Sequence, residues 1–157
     1  MDFFPVASVA AVGVYALGSG ALVSTSDAWY NSIKKPSWQP PSQFFGLIWS
    51  YNYLVLIGAG LAIGNAAPLR IKVQWLVFLC LSVVAALLWA NLFFGERHDM
   101  QTAARALTAA AVLTLPLVRL SFQYSSWPWG VLMVPYQAWL VLATILAFSY
   151  AKLNTAK

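Results

Sequence analysis

Trp29-Tyr30-Asn31-Ser32-Ile33-Lys34-Lys35-Pro36-Ser37-Trp38-Gln39-Pro40-Pro41 separates two long apolar runs, and a further tryptophan, Trp49, stands near the start of the second run. Two lysines, three prolines and three aromatics in thirteen residues make a stiff, cationic, aromatic segment that belongs outside lipid. Proline fixes its own φ and biases its predecessor toward extended geometry, so Lys35-Pro36 and Gln39-Pro40-Pro41 leave few conformations open. A plain link between two helices does not need such stiffness. The segment reads as a long structured loop that covers something.

Working outward, the composition sets the class. The chain of 157 residues is 61% hydrophobic and 8% charged, with mean hydropathy +0.72, which excludes an ordinary soluble domain. Crossing the hydrocarbon core takes about 20 apolar residues in a helix. Five runs qualify: Phe3–Ser24, Phe44–Ala66, Val73–Gly95, Thr102–Phe122 and Trp127–Ala151. They are apolar throughout rather than alternating, which argues against a β-barrel. The expected fold is an all-α membrane bundle of five transmembrane helices forming one domain over residues 1–157. Short separators at Gly64–Pro68, Gly95–Asp99 and Gln123–Ser126 predict that the helices they join are antiparallel neighbours. Pro116 and Pro135 fall inside the fourth and fifth runs, where neighbouring helices tolerate the lost backbone donor.

Charge narrows the function. The four acids, Asp2, Asp27, Glu96 and Asp99, all lie outside the apolar runs, as the cost of intramembrane charge requires. The net charge of +5 comes from basic residues scattered at run ends, a pattern that suits lipid headgroups and not nucleic acid. With five spans, Lys34, Lys35, Arg97, Arg105, Lys152 and Lys157 share one side against Arg70, Lys72 and Arg119. This bias places the first connection and the C-terminus in the cytoplasm and the N-terminus outside. Met1-Asp2-Phe3-Phe4 lacks a basic lead, so the first run reads as a retained helix and not a cleaved signal. Cys80, inside an apolar run, reads as a small core residue.

Aromatic spacing gives the candidate site. Trp49 and Tyr53, Trp89 and Phe93, and Trp139 and Ala143 are each four apart, so each pair shares a helical face suited to lining a flat apolar ligand. The competing reading is the interfacial aromatic belt, to which Trp75, Trp127 and Trp129 at helix ends are assigned. Gly58, Gly60 and Gly64 form a small-residue face for close approach within the bundle or between protomers. No metal set converges: His98 stands in a charged turn, where a solvated residue is expected rather than an axial haem ligand. Phosphate cradles and Ser/His/Asp sets are lacking, and so few ionisable groups leave little scope for acid–base catalysis.

The string Trp29-Tyr30…Lys35-Pro36-Ser37-Trp38-Gln39-Pro40-Pro41…Phe45…Trp49…Tyr53 resembles the tryptophan-rich sensory protein family, TspO, whose mitochondrial members are called translocator protein or peripheral benzodiazepine receptor. The resemblance continues through Trp89…Phe93-Phe94-Gly95, Val134-Pro135-Tyr136-Gln137-Ala138-Trp139…Ala143 and Leu153-Asn154, across nearly the whole chain. It implies a five-helix bundle, commonly a homodimer, whose first loop covers a pocket open toward the cytosolic side. It also implies binding of tetrapyrroles such as protoporphyrin IX and haem as ligands, with no cofactor required, and in animal members of sterol and drug-like ligands.

The positions matching the family pocket are Tyr30, Trp38, Trp49, Tyr53, Trp89, Phe93, Trp139, Ala143 and Leu146. Some relatives degrade protoporphyrin IX in light, with tryptophans at the positions of Trp49 and Trp139 implicated. Departures occur at Ala86 and Ala147, where relatives usually carry asparagine, and at Asn91, often proline. Lys34, Lys35 and Arg97 are candidates to pair with porphyrin propionates at the rim. Leu146…Tyr150-Ala151-Lys152 fits a loose sterol-contact pattern. The expected function is a tetrapyrrole receptor or carrier in porphyrin sensing, transport or scavenging. The alternatives are a light-dependent porphyrin-degrading enzyme, a sterol-binding translocator and a structural partner docking through its glycine face.

Overall fold

The computed structural model describes residues 3–24 and 27–155, and Asp2, Lys157 and the Thr25-Ser26 separator lie outside the described residues. Six helices follow one another: α1 (Phe4–Ser24), α2 (Asp27–Ser32), α3 (Ser42–Ala66), α4 (Leu69–Phe94), α5 (Met100–Tyr124) and α6 (Trp127–Thr155). All except α2 are long and apolar enough to cross a membrane, and the described residues hold no strand. The connection after the first span is thus not a loop throughout. Asp27–Ser32 is a short helix, and among the described residues of the connection 33–41 are non-helical.

Local chemistry sets the ends. Pro41 and Pro68 precede α3 and α4 at positions where the missing N–H is no loss. Asp99 caps α5, its carboxylate accepting from the Thr102 N–H at 3.0 Å. That bond holds the Asp99 carboxyl below the usual carboxylate range. Both α5 and α6 continue through Pro116 and Pro135, and Gln137 of α6 donates to the Ala111 carbonyl of α5 at 3.0 Å.

The five spans close into a ring in the order α1, α3, α6, α5, α4. In lipid, close packing replaces the hydrophobic drive between helices, and α5 turns Ala103, Ala104, Ala106, Ala110 and Ala111 inward. These small side chains let α4 and α6 approach it along its length, and those are the most extensive contacts in the bundle. The prediction of neighbours holds for α4 with α5 and for α5 with α6. It fails for α3 and α4, which meet only sparsely although residues 67–68 alone join them, because α1 packs against both.

Trp75 shows how. It is not a belt residue: it is 0% exposed, edge-on to Phe4 of α1 at 6.2 Å, and its ring lies beside Gly60 of α3. Gly60 also faces Ser8 of α1, Gly64 faces Phe4, and Gly58 lies under the ring of Trp129, which is therefore half-buried. The glycine face is filled from within the chain and offers no docking surface to a partner. Trp127, by contrast, is 72% exposed. Cys80, expected in the core, lies exposed on the outside of α4. A helix apolar all round gives no sign of which face turns inward.

Candidate ligand-binding site

Between α1, α3, α4 and α6, on the side where the connector runs, the bundle encloses a cavity of about 740 Å³. Trp49 stands at its centre. Its ring stacks with Tyr53 at 5.9 Å and with Trp89 at 6.4 Å, and meets Trp139 at 6.4 Å and 90°. Behind it, Tyr15 of α1 presents its ring edge to both Trp49 and Tyr53. Phe93 lies one turn beyond Trp89 at 6.3 Å, while Phe45 supports Trp139 at 5.5 Å. Burial of such pairs gains about 0.5–1.5 kcal/mol each beyond the area removed from lipid or water.

The four-residue spacings therefore bring Trp49, Tyr53, Trp89, Phe93, Trp139 and Ala143 to one cavity, and Leu146 and Tyr30 join them. Trp38 does not: it is 45% exposed and does not line the cavity. Lys34, Lys35 and Arg97 are exposed and off the lining, which contains no charged side chain among the described residues. Lys35 comes nearest, its Nζ 4.4 Å from the ring centre of Tyr30. Of the departures, Ala147 lines the cavity, Ala86 is buried beside it in α4, and Asn91 faces outward. Leu146, Tyr150 and Ala151 of the sterol pattern are buried in the bundle, which leaves Lys152 as its exposed member.

The connector is fastened over this end of the bundle by groups that spacing alone did not reveal. Tyr150 donates its hydroxyl to Gln39 Oε1, so the 2.8 Å contact between the Tyr30 and Tyr150 hydroxyls has Tyr30 as donor. Asn154 bonds both the N–H and the carbonyl of Lys34. His98 is not a freely solvated turn residue: its ring stacks on Trp29 at 3.9 Å and 7°, and Trp29 in turn is edge-on to Phe93. The helical stripe Trp139, Ala143, Leu146, Tyr150 was readable in the sequence had the step been continued with the alternating three- and four-residue spacing of a helical face.

Two indole donors in the cavity walls, Trp89 Nε1 and Trp139 Nε1, are buried without an acceptor. Among the described residues, the phenols of the lining are those of Tyr30, Tyr53 and Tyr150, all already hydrogen-bonded. The described lining offers stacking faces and hydrogen-bonding groups.

Residues 6–153 match the model of the TspO/MBR family. The chain is 34% identical over 136 residues to a tryptophan-rich sensory protein of Cereibacter sphaeroides, covering 87% of this chain and 82% of the relative. It is 32% identical over 145 residues to Protein CrtK of Rhodobacter capsulatus, with 87% and 85% covered. Identity with the tryptophan-rich protein TspO of Archaeoglobus fulgidus is 31% over 156 residues, 95% of each. With five membrane-spanning helices and a match over nearly its whole length, this integral multi-pass membrane protein belongs to the TspO/MBR family.

Proposed function

We propose that this protein binds tetrapyrroles, protoporphyrin IX and haem, in the aromatic cavity beneath the connector, as a membrane receptor or carrier in porphyrin sensing, transport or scavenging. The observation that carries the reading is the contiguous set of Trp89, Trp49 and Trp139, contributed by three helices, that lines a 740 Å³ space. That volume lies within the range of about 300–1,000 Å³ typical of small-molecule sites. A porphyrin is a broad aromatic plate with carboxylates on one edge. Stacked indoles suit the plate, the unpaired donors of Trp89 and Trp139 suit ring or side-group acceptors, and Lys35 stands beside Tyr30 at the mouth.

Flat drug-like ligands suit the same walls. Sterol recognition finds less support, because Leu146 and Tyr150 face inward. A homodimer belongs to this reading with its contact away from the filled glycine face. The connector, the α4–α5 turn and the end of α6 meet at one end of the bundle. The basic-residue count puts that end in the cytoplasm and the N-terminus outside.

Titrating the purified protein with protoporphyrin IX while following tryptophan fluorescence tests the proposal. Saturable quenching that Trp49→Ala weakens supports it, and unsaturable quenching equal in both proteins refutes it. The contiguous contact of Trp49 with Trp139 favours a second reading, in which bound, illuminated protoporphyrin IX is oxidised by dissolved dioxygen, which is reduced in turn. Under illumination this reading requires catalytic loss of the Soret band that Trp49→Phe and Trp139→Phe abolish, whereas a binder returns the pigment intact.

A further inference from the structure

One polar side chain in the middle of the bundle has no part in the reading above. Asn52 of α3 is 0% exposed, and neither its amide nitrogen nor its amide oxygen has a hydrogen-bond partner. That amide offers two donors and an oxygen with two lone pairs. Burying it unmet is costly in any protein core and more so within a bilayer, where water cannot substitute. Leucine would fill similar space without that cost.

Its position is well defined. Asn52 precedes Tyr53, whose hydroxyl is bonded to Ser19 at 2.8 Å in the cavity wall and whose ring meets Tyr15 at 5.3 Å. Toward α6, Tyr51 donates to the Leu132 carbonyl at 2.8 Å, and Trp49 meets Trp139. Asn52 lies between Trp49, which meets Trp139, and Gly58, which meets Trp129, so it stands level with the stretch of α6 between those residues, where Tyr136 is buried. Tyr15, whose ring lies against Trp49 and Tyr53, is buried as well, and its hydroxyl has no hydrogen-bond partner either. An unmet amide and an unmet hydroxyl thus both adjoin Tyr53, a residue of the cavity wall.

We propose that Asn52 forms a polar subsite beside Tyr53 of the cavity wall that holds one small, uncharged hydrogen-bonding group. The group is either an ordered water or the polar edge of a ligand reaching past Tyr53. The second source rests on the cavity being a ligand site; the first does not.

Two substitutions separate the sources. Asn52→Leu removes the amide at nearly constant volume, and Asn52→Ser keeps a hydroxyl while making room for water. With water as the occupant, ligand-free Asn52→Leu melts about 2–4 °C below the unaltered protein, Asn52→Ser recovers part of the loss, and protoporphyrin IX affinity is unchanged. With a ligand edge as the occupant, Asn52→Leu weakens protoporphyrin IX about five- to tenfold, while ligand-free melting holds or rises. Melting at or above the unaltered protein with undiminished affinity overturns the proposal. So does an Asn52→Ser variant less stable than Asn52→Leu with undiminished affinity, which marks a packing role alone. If the unaltered protein does not bind protoporphyrin IX, the functional reading falls, and the melting order of the two variants still decides the hydration site.

Discussion

The side-chain amide of Asn154 grips both backbone groups of Lys34: Oδ1 accepts from the Lys34 N–H at 2.9 Å, and Nδ2 donates to the Lys34 carbonyl at 2.9 Å. This two-point clasp joins the connector to the last turn of α6. Nδ2 also reaches the Tyr150 carbonyl, so the clasp is braced by its own helix. Each bond is worth about 0.5–1.5 kcal/mol. Asn154→Leu is therefore expected to free the connector and speed tryptic cleavage after Lys34 by about tenfold. Asn154→Asp keeps the acceptor, loses the donor and falls between. The check is limited proteolysis timed by mass spectrometry, and equal cleavage rates in all three proteins would remove the clasp from the account.

Tyr150 holds the same connector at a second place, giving its proton to Gln39 and accepting from Tyr30. Tyr150→Phe deletes two hydrogen bonds and Tyr30→Phe one, at nearly constant ring packing against Phe93 and Phe94. Dissociation of protoporphyrin IX, measured by fluorescence recovery, is expected to accelerate more in Tyr150→Phe than in Tyr30→Phe. Because the two share a bond, the double variant should fall short of the sum. Full additivity would show the hydroxyls acting separately.

How far the sequence could be read follows from which residues carry which signal. The five spans were legible because a bilayer demands long apolar runs, and the pairs Trp49/Tyr53 and Trp89/Phe93 because helical geometry puts residues four apart on one face. The clasp was not, because it links positions 120 apart that only the closed ring brings together. Trp75 and Cys80 went the wrong way for a different reason. On a helix apolar all round, composition cannot say which face meets protein and which meets lipid. The short helix Asp27–Ser32 was hidden by its polar composition, since six residues have too few turns to show a period.

The burial of Trp75 leads to a stability prediction. Its ring fills the gap between α1, α3 and α4, beside Phe4 and Gly60. Trp75→Ala should cost about 3–5 kcal/mol, as aromatic-to-alanine changes in cores do. Gly60→Leu should be as damaging, because even a Cβ there meets Ser8 and Trp75. Both variants should lower the melting temperature of the protein in detergent whatever its oligomeric state. A Gly60→Leu protein that melts normally and merely loses a partner would restore the docking reading that the filled glycine face removes.

Asp99 ties stability to pH at one helix end. Its carboxyl is held below the ordinary range chiefly by the Thr102 N–H, so the folded state binds its proton less readily than the unfolded chain does. The contribution is present above the unfolded carboxylate value and disappears as pH falls through the lower, folded value. Asp99→Asn keeps a capping oxygen without the titration. Melting curves of the two proteins should run parallel at neutral pH, and the unaltered protein should lose more stability on acidification. Identical acid dependence would exclude Asp99 as a source of it.

The rim charges give the sharpest test of ligand chemistry. Lys34 and Lys35 are adjacent in sequence, yet only the Nζ of Lys35 is held over Tyr30, a residue of the cavity wall. Opposite charges paired at so exposed a place gain only about 0.2–1 kcal/mol. Lys35→Ala should therefore weaken protoporphyrin IX by no more than about fivefold, and Lys34→Ala by less. The Lys35 effect should shrink as salt is raised, since exposed charges are screened. It should vanish for the dimethyl ester, which has no carboxylate to pair. An equal loss of affinity for acid and ester would mean that Lys35 acts through its packing on Tyr30 and not through its charge.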